Sequence, residues 1–594
     1  MGRGIGFLVL LMLLPVVAAG SVPLLAVSES GGKMVGALAN VSLELKEGSG
    51  NTFMATSPLT KVDTQISTRL AKEIACKRTA ADCSGYDFFY TIRAESPIIG
   101  GPSAGAAIAI LTLAELERLD IQEGVAVTGT INSGGFIGPV GGIIEKIDAA
   151  ASHGIHTVLI PKGERAASLN GRNITDVVAY AAGKGVEVQE VSELDAAAWF
   201  LAGREYKQVT ADIQEDKAYT TIMRSLAEDL CNRSREYQRT FERELPPDEL
   251  VRQADSHRAE QRYYTAASLC FGANTQYREQ QLNEQKLPAK ELIDLILQAR
   301  ENSRALDARL AQIPITKITD LETWMISKER IREAEGLIEL SQRQAMVNEI
   351  QESKKNIAFA LERLYTVVLW SRFFNAPGKD LVLNRDIVQA ACQERLVEAQ
   401  DRLEYVRLDI PNAFTGITDK LQNAAQAHDA GDFALCLFEA SKAKAEANSV
   451  LGAQSADQDV QITIQQKLEI VRKNIVRSQE LGLFPIMGYS YYEYAQSLTA
   501  DDPYAAHLYA EYALELGDLE VYFEKKRPQG RFTLPGQALA LLAIGLAGGI
   551  IIGVWIRGRS INPRGTARRQ PRKGKRGDYK PRRGPQGTPP GKKR

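Results

Sequence analysis

The sequence predicts an α+β domain followed by a large all-α domain, then one apolar C-terminal helix and a disordered basic tail. Three observations carry this. Between residues 36 and 204, apolar residues recur now with a period of two, now with a period near 3.6. From 205 to 527 the chain is rich in Glu, Gln, Arg, Ala and Leu, with prolines such as Pro246, Pro288, Pro314, Pro377, Pro411, Pro485 and Pro503 punctuating helical stretches. Residues 532–556 then carry no charged side chain, while 557–594 hold 15 Lys or Arg against the single acid Asp578. A chain of 594 residues is also too long for one hydrophobic core.

Taken in order, residues 1–20 open with Arg3, continue through the apolar run Ile5–Val17 and end in Ala18-Ala19-Gly20, the layout of a signal peptide. Val41–Leu45 and Thr52–Thr56 flank a Gly-Ser-Gly-Asn turn and read as a β-hairpin. Thr64–Lys77 places Ile66, Leu70 and Ile74 on one helical face. Phe88–Ala94 reads as a strand and Ser103–Leu119 as an apolar helix. Val125–Thr130 and Phe136–Val140 are short strands around a Gly-rich turn. Gly142–His153 is a helix stopped by Gly154, and Thr157–Ile160 is a compact strand. Mixed α and β patterning continues through Asp176–Lys184, Val186–Val191 and Ser192–Leu201.

In the helical region Thr319-Asp-Leu-Glu322 reads as a capping box opening one helix that runs to about Phe374. Asp432-Phe433 and Asp502-Pro503-Tyr504 each sit in an Ala-rich helix–turn–helix stretch, but no fixed repeat period emerges. A bundle or stalk and a binding surface both stay open.

Phe532–Ile556 would extend about 37 Å as a helix, enough to cross a ~30 Å hydrocarbon core. Trp555 and the basic residues that follow fit an interface and a cytoplasmic tail at 557–594. With the signal, this predicts a single-pass cell-membrane protein with its body outside the cytoplasm. Cys76, Cys83, Cys231, Cys270, Cys392 and Cys436 agree with that oxidising setting. They are too dispersed for a C-x-x-C motif, and neighbour pairing is only the simplest of 15 connectivities.

The chemistry is narrowed by what is missing. There is no G-x-x-x-x-G-K-[ST] phosphate loop, no H-E-x-x-H, and there are only five histidines in all. No ATPase module, metal or other cofactor is expected. The tail has a single aromatic, Tyr579, so it suits a topology anchor or anionic lipid better than nucleic acid.

One constellation remains. Gly100-Gly101-Pro102-Ser103-Ala104-Gly105 ends an extended segment and opens an apolar helix, presenting a serine beside helix-start amides that suit an oxyanion. Taken alone, such a serine is far more often a cap. Gly141-Gly142-Ile143-Ile144-Glu145-Lys146 places a lysine among apolar neighbours early in a second helix. Burial would lower its pKa and let it accept a hydroxyl proton, although a helical lysine is ordinarily solvated.

Together the two motifs resemble the proteolytic domain of the Lon family, over roughly residues 36–203. The core Gly101-Pro102-Ser103-Ala104-Gly105 is similar to that family's nucleophile segment, and Pro139-Val140-Gly141-Gly142 with Glu145-Lys146 to its lysine segment. The resemblance implies an α+β protease domain with Ser103 as nucleophile, Lys146 as general base and Thr128 orienting the lysine. Gly101, Pro102, Ala104, Gly141 and Gly142 would serve the oxyanion and the substrate backbone. It further implies a ring-forming homo-oligomer, often hexameric, while the lack of an ATPase module points to peptides or already unfolded proteins as substrates. Two positions depart from the family pattern, since Gly100 and Thr130 stand where an acid is frequent. Without an ATPase module the expected activity is ATP-independent serine endopeptidase cleavage. The competing reading keeps the fold and drops the chemistry, leaving an inactive membrane-anchored scaffold.

Overall fold

The computed structural model describes residues 20–523 apart from short internal stretches, the longest of them 454–459. The described residues open with a mixed four-stranded sheet of β1 (Gly20–Ser30), β2 (Lys33–Glu47), β3 (Thr52–Thr60) and β4 (Tyr86–Ile99), in the order β1-β2-β4-β3. Alternation drives it. Val22 and Leu24, Ala39, Val41 and Leu43, and Phe88, Tyr90 and Ile92 all point to one buried face, as the two-residue period of a strand requires.

The expected hairpin between Val41–Leu45 and Thr52–Thr56 does not form. β4 lies between β2 and β3, antiparallel to the first and parallel to the second. The turn folds over the start of β4 instead: Ser49 N and Asn51 N donate to Asp87 Oδ1 at 2.9 Å, and Gly50 N to Tyr86 O at 3.0 Å. A later strand with the same alternation took the central place. The sheet also opens at Gly20, sixteen residues before the point where the sequence reading began the domain, and Gly20 N donates to Glu115 Oε1 at 2.7 Å.

Between β3 and β4 runs α1 (Val62–Thr79), and after β4 comes α2 (Gly105–Glu117), buried from Gly105 to Ala114 beneath the sheet. The short strands β5 (Val125–Val127), β6 (Thr130–Asn132) and β7 (Phe136–Gly138) follow, then α3 (Ile143–Ser152) and β8 (Thr157–Pro161). The domain closes with β9 (Ala167–Leu169), β10 (Arg172–Ile174), α4 (Val177–Ala182), β11 (Glu187–Val191) and α5 (Leu194–Ala202). β5, β8 and β11 form a parallel sheet in the order β11-β8-β5, and β6 pairs with β7 as a hairpin.

The helical region contains α6 (Lys217–Thr240), α7 (Pro247–Ala259), α8 (Tyr263–Glu284), α9 (Ala289–Leu310), α10 (Ile318–Met346) and α11 (Ile350–Trp370). It continues with α12 (Arg385–Asp409), α13 (Thr415–Asp429), α14 (Phe433–Ala453), α15 (Val460–Glu480), α16 (Ile486–Leu498) and α17 (Pro503–Leu516). Sequence neighbours pack as pairs, among them α10 with α11, α13 with α14 and α16 with α17. The single helix expected from Thr319 to Phe374 is two: Asn348 adopts φ 64°, a left-handed conformation that asparagine tolerates, and the chain reverses there. The cap is also shifted. Lys317 is the N-cap and Asp320 its partner, while buried Glu322 accepts from Ile486 N at 3.0 Å and so serves the start of α16.

Disulfides join Cys76 to Cys83, Cys231 to Cys270 and Cys392 to Cys436. The second clamps α6 to α8 and the third α12 to α14.

No helix among the described residues is long and apolar enough to cross a membrane. α2 is apolar but has only 13 residues, about 20 Å, and α14 has 21 but carries Glu439, Lys442, Lys444 and Glu446. The fold class is therefore corrected to an α+β domain followed by a helical domain, and the single-pass membrane placement expected from residues 532–556 is withdrawn. That segment, the basic tail at 557–594 and residues 1–19 of the expected signal lie outside the described residues.

Candidate active site

β4 runs up to Ile99, and the chain then turns at Gly101 into a short helical turn, Pro102–Ala104, that leads into α2. Gly101 has φ 102°, a conformation that a side chain would strain. Ser103 sits half-buried at this turn. Its backbone is fixed against the chain after β5: Gly129 N donates to Ser103 O at 2.9 Å, and Ala106 N donates back to Gly129 O at 3.0 Å. Gly100 lies outside the described residues.

Thr128, the residue before Gly129, is fully buried. Its N donates to Leu159 O of β8 at 3.0 Å, and its Oγ1 accepts from Lys146 Nζ at 3.0 Å. Lys146 reaches it from the first turns of α3, where Ile143, Ile144 and Ile147 are buried around it. Gly142 opens that helix at φ 67°, with Lys146 N donating to its carbonyl at 3.0 Å. The apolar face that buries α3 thus carries a lysine inward with it.

Lys146 is only 2% exposed. Burial pulls its amine from the ordinary 10.5 down to about 7, partly opposed by the nearby carboxylates of Glu164 and Glu145. At neutral pH about half of such amines are uncharged, against roughly one in three thousand for a solvated lysine. The group can therefore accept a proton from a hydroxyl. Among the described residues no hydrogen bond joins Nζ to Ser103 Oγ; the Thr128–Gly129 pair meets Lys146 through Thr128 Oγ1 and the backbone carbonyl of Ser103 through Gly129 N.

Of the other expected site residues, Pro102 is buried, Ala104 half-buried and Gly141 exposed at the mouth of α3. Thr130, where an acid was expected from the resemblance, is buried, and its Oγ1 accepts from Asn132 Nδ2 at 3.3 Å. Sequence reasoning missed Glu164, whose charge acts on Lys146 from the turn after β8. It also missed Arg402 of α12, whose Nη2 lies 2.9 Å from Ile131 O and 2.9 Å from Asn132 Oδ1. Nothing in a lone helical arginine signals such a role.

One carboxylate cluster lies elsewhere, where oxygens of Glu73, Glu394 and Glu398 all fall within 4.8 Å of one another. The protein's own cations serve it: Lys444 Nζ lies 2.7 Å and Arg395 Nη1 3.2 Å from Glu398, holding that carboxyl down at about 2. Burial and the adjacent Glu398 keep Glu73 protonated well above the usual range. A shared proton and two cations account for this geometry without a metal.

Residues 20–198 match the family described as the Lon protease (S16) C-terminal proteolytic domain. Similar proteins include an archaeal Lon protease of Archaeoglobus fulgidus, 29% identical over 173 residues, which is 29% of this chain and 26% of the relative. An archaeal Lon protease of Methanothermobacter thermautotrophicus is 38% identical over 85 residues, 14% of this chain and 13% of the relative. Lon protease 2 of Bacillus subtilis is 35% identical over 96 residues, 16% and 17%. The chain thus spans about a quarter or less of the length of these relatives.

Proposed function

From the Lon-type proteolytic domain that residues 20–198 carry, we propose that this chain is a serine endopeptidase working through Ser103 and Lys146. The observation that carries the reading is the lysine: fully enclosed, held at 3.0 Å by the Oγ1 of Thr128, whose neighbour Gly129 binds the backbone of Ser103, and half neutral near pH 7.

In the proposed reaction Ser103 Oγ attacks the scissile carbonyl carbon while its proton passes to Lys146 Nζ. The oxyanion forms beside the amides at the start of α2, where the helix dipole favours negative charge. As the C–N bond breaks, Lys146 returns the proton to the leaving amine, and an ester to Ser103 remains. Water then attacks that ester, giving its proton to Lys146, which passes it back to Ser103 Oγ as the acid product leaves. Thr128 keeps the amine aimed at the serine throughout.

No phosphate loop occurs in this sequence, which supports cleavage without ATP. Substrates would then be peptides or chains already unfolded. Three disulfides support work in an oxidising compartment. The test is cleavage of fluorescent unfolded casein by the whole chain without nucleotide. Ser103→Ala should abolish it and Lys146→Ala nearly so; equal rates for Ser103→Ala and wild type would end the proposal. One observation favours the rival reading of an inactive scaffold, the lack of a direct Ser103–Lys146 hydrogen bond among the described residues. Catalytic contacts often tighten only when substrate binds, and covalent labelling of Ser103 by an active-serine probe separates the two.

A further inference from the structure

The β6–β7 hairpin occupies a singular place. Its first strand follows directly from Thr128 and Gly129, the residues that hold Lys146 Nζ and the Ser103 backbone, and its second leads toward α3 and Lys146. Its inner side presses on the serine helix: a side chain on Gly105 would come within 2.9 Å of Ile131 Cγ2. Its tip, however, belongs to the other domain. Phe136 packs in the core of the helical region with Ile470 of α15 and Leu514 of α17, and Lys467 Nζ lies 5.3 Å above its ring. At the tip, a side chain on Gly134 would meet Asn474 and Ile470 at 2.7 Å.

The polar grip on this hairpin is Arg402. It is 5% exposed, it projects from α12 of the helical domain, and its Nη2 donates to Ile131 O and to Asn132 Oδ1, both at 2.9 Å. Asn132 Nδ2 in turn donates to Thr130 Oγ1, one residue from Gly129. A chain of hydrogen bonds therefore runs from the helical domain to Thr130, the residue next to Gly129, whose N binds the Ser103 carbonyl. An ion pair between the domains, Lys473 Nζ with Glu193 at 2.7 Å, reaches the hairpin only at β7, where Glu193 bridges Phe136, and Arg472 donates to Val209 O in the linker at 2.8 Å, away from the hairpin.

We propose that Arg402 is a positioning residue through which the helical domain holds the β6–β7 hairpin, and with it Ser103, Thr128 and Lys146, in their working arrangement. The claim rests on the peptidase reading for its consequence but not for its geometry. Loss of the guanidinium should free residues 129–132 and lower turnover without changing how tightly substrate binds.

The test uses the whole chain with Arg402→Gln, Arg402→Lys and, as a control whose contacts lie off the hairpin, Arg472→Ala. Two quantities are read: hydrogen exchange at the Gly129 and Ala106 amides, and kcat and KM on a fluorogenic peptide. Arg402→Gln should speed exchange at both amides by at least about tenfold and lower kcat by a similar factor, with KM within about twofold. Arg402→Lys, which keeps the cation, should recover part of both. Arg472→Ala should leave exchange and kcat as in wild type even if the melting temperature falls. Wild-type exchange at Gly129 and Ala106 in folded Arg402→Gln overturns the proposal, and if that variant does not fold, the same reading is taken on Arg402→Lys. An inert wild-type enzyme would remove the peptidase reading alone, since the exchange measurement still decides the grip.

Discussion

Replacing Lys146 by Met should make the protein more stable and catalytically dead. The lysine titrates at 10.5 when solvated and at about 7 in its buried site. The unfolded chain therefore binds the proton first as pH falls, so the folded state loses stability progressively from pH 10.5 down to 7 and no further below that. At 1.36 kcal/mol per pH unit the full cost is about 4 to 5 kcal/mol. Methionine removes it while filling nearly the same volume among Ile143, Ile144 and Ile147. Against this, Thr128 Oγ1 loses its partner in a fully buried place, a penalty of about 1–3 kcal/mol. The balance favours the variant by about 2 kcal/mol at pH 7 and below. The assay is unfolding by denaturant at several pH values from 6 to 10, wild type beside Lys146→Met. The stability gap should be widest at pH 6–7 and shrink, then reverse, as pH approaches 10, where the lysine costs less than about 1 kcal/mol. A gap that does not change with pH would refute the reasoning, because a buried neutral amine must leave that signature. A wild-type kcat/KM that rises with pH around a midpoint near 7 is the kinetic counterpart.

Thr128→Val keeps the shape and removes the hydroxyl. Charged Lys146 loses an acceptor, so the midpoint of the pH–rate curve should move below 7 while the plateau rate falls about ten- to a hundredfold; an unmoved midpoint would mean that Thr128 does not bear on the amine. Cys231→Ser with Cys270→Ser opens a link spanning 39 residues and should cost about 2–4 kcal/mol, read as a lower denaturant midpoint for the helical domain with casein cleavage retained at low temperature. Asn348→Val places a branched side chain at φ 64° and should destabilise the α10–α11 turn by about 1–2 kcal/mol, seen as faster exchange at the ends of the two helices.

What was legible in the sequence was local. Glycines around Ser103 and before Lys146, apolar neighbours on α3, and the alternation of β2 and β4 are each encoded within a few residues, because turn conformations and side-chain periods depend only on adjacent positions. The helical character of the second domain could be read in the same way. Partner choice could not. Whether Val41–Leu45 pairs with the next strand or the one after it depends on which apolar face closes the core, and β4 competes from forty residues away. The break at Asn348 was hidden because a helical pattern continues on both sides of a single left-handed residue. Only the tertiary structure brought Lys146 to Thr128 through the packing of α3 against β1, β2 and β8, and enclosed it so that its charge became costly. It alone set Arg402 against a strand 271 positions earlier in the chain. Sequence spacing carries residue chemistry; the shift in a pKa and the grip between domains arise from the surroundings that folding assembles, and those are long-range by nature.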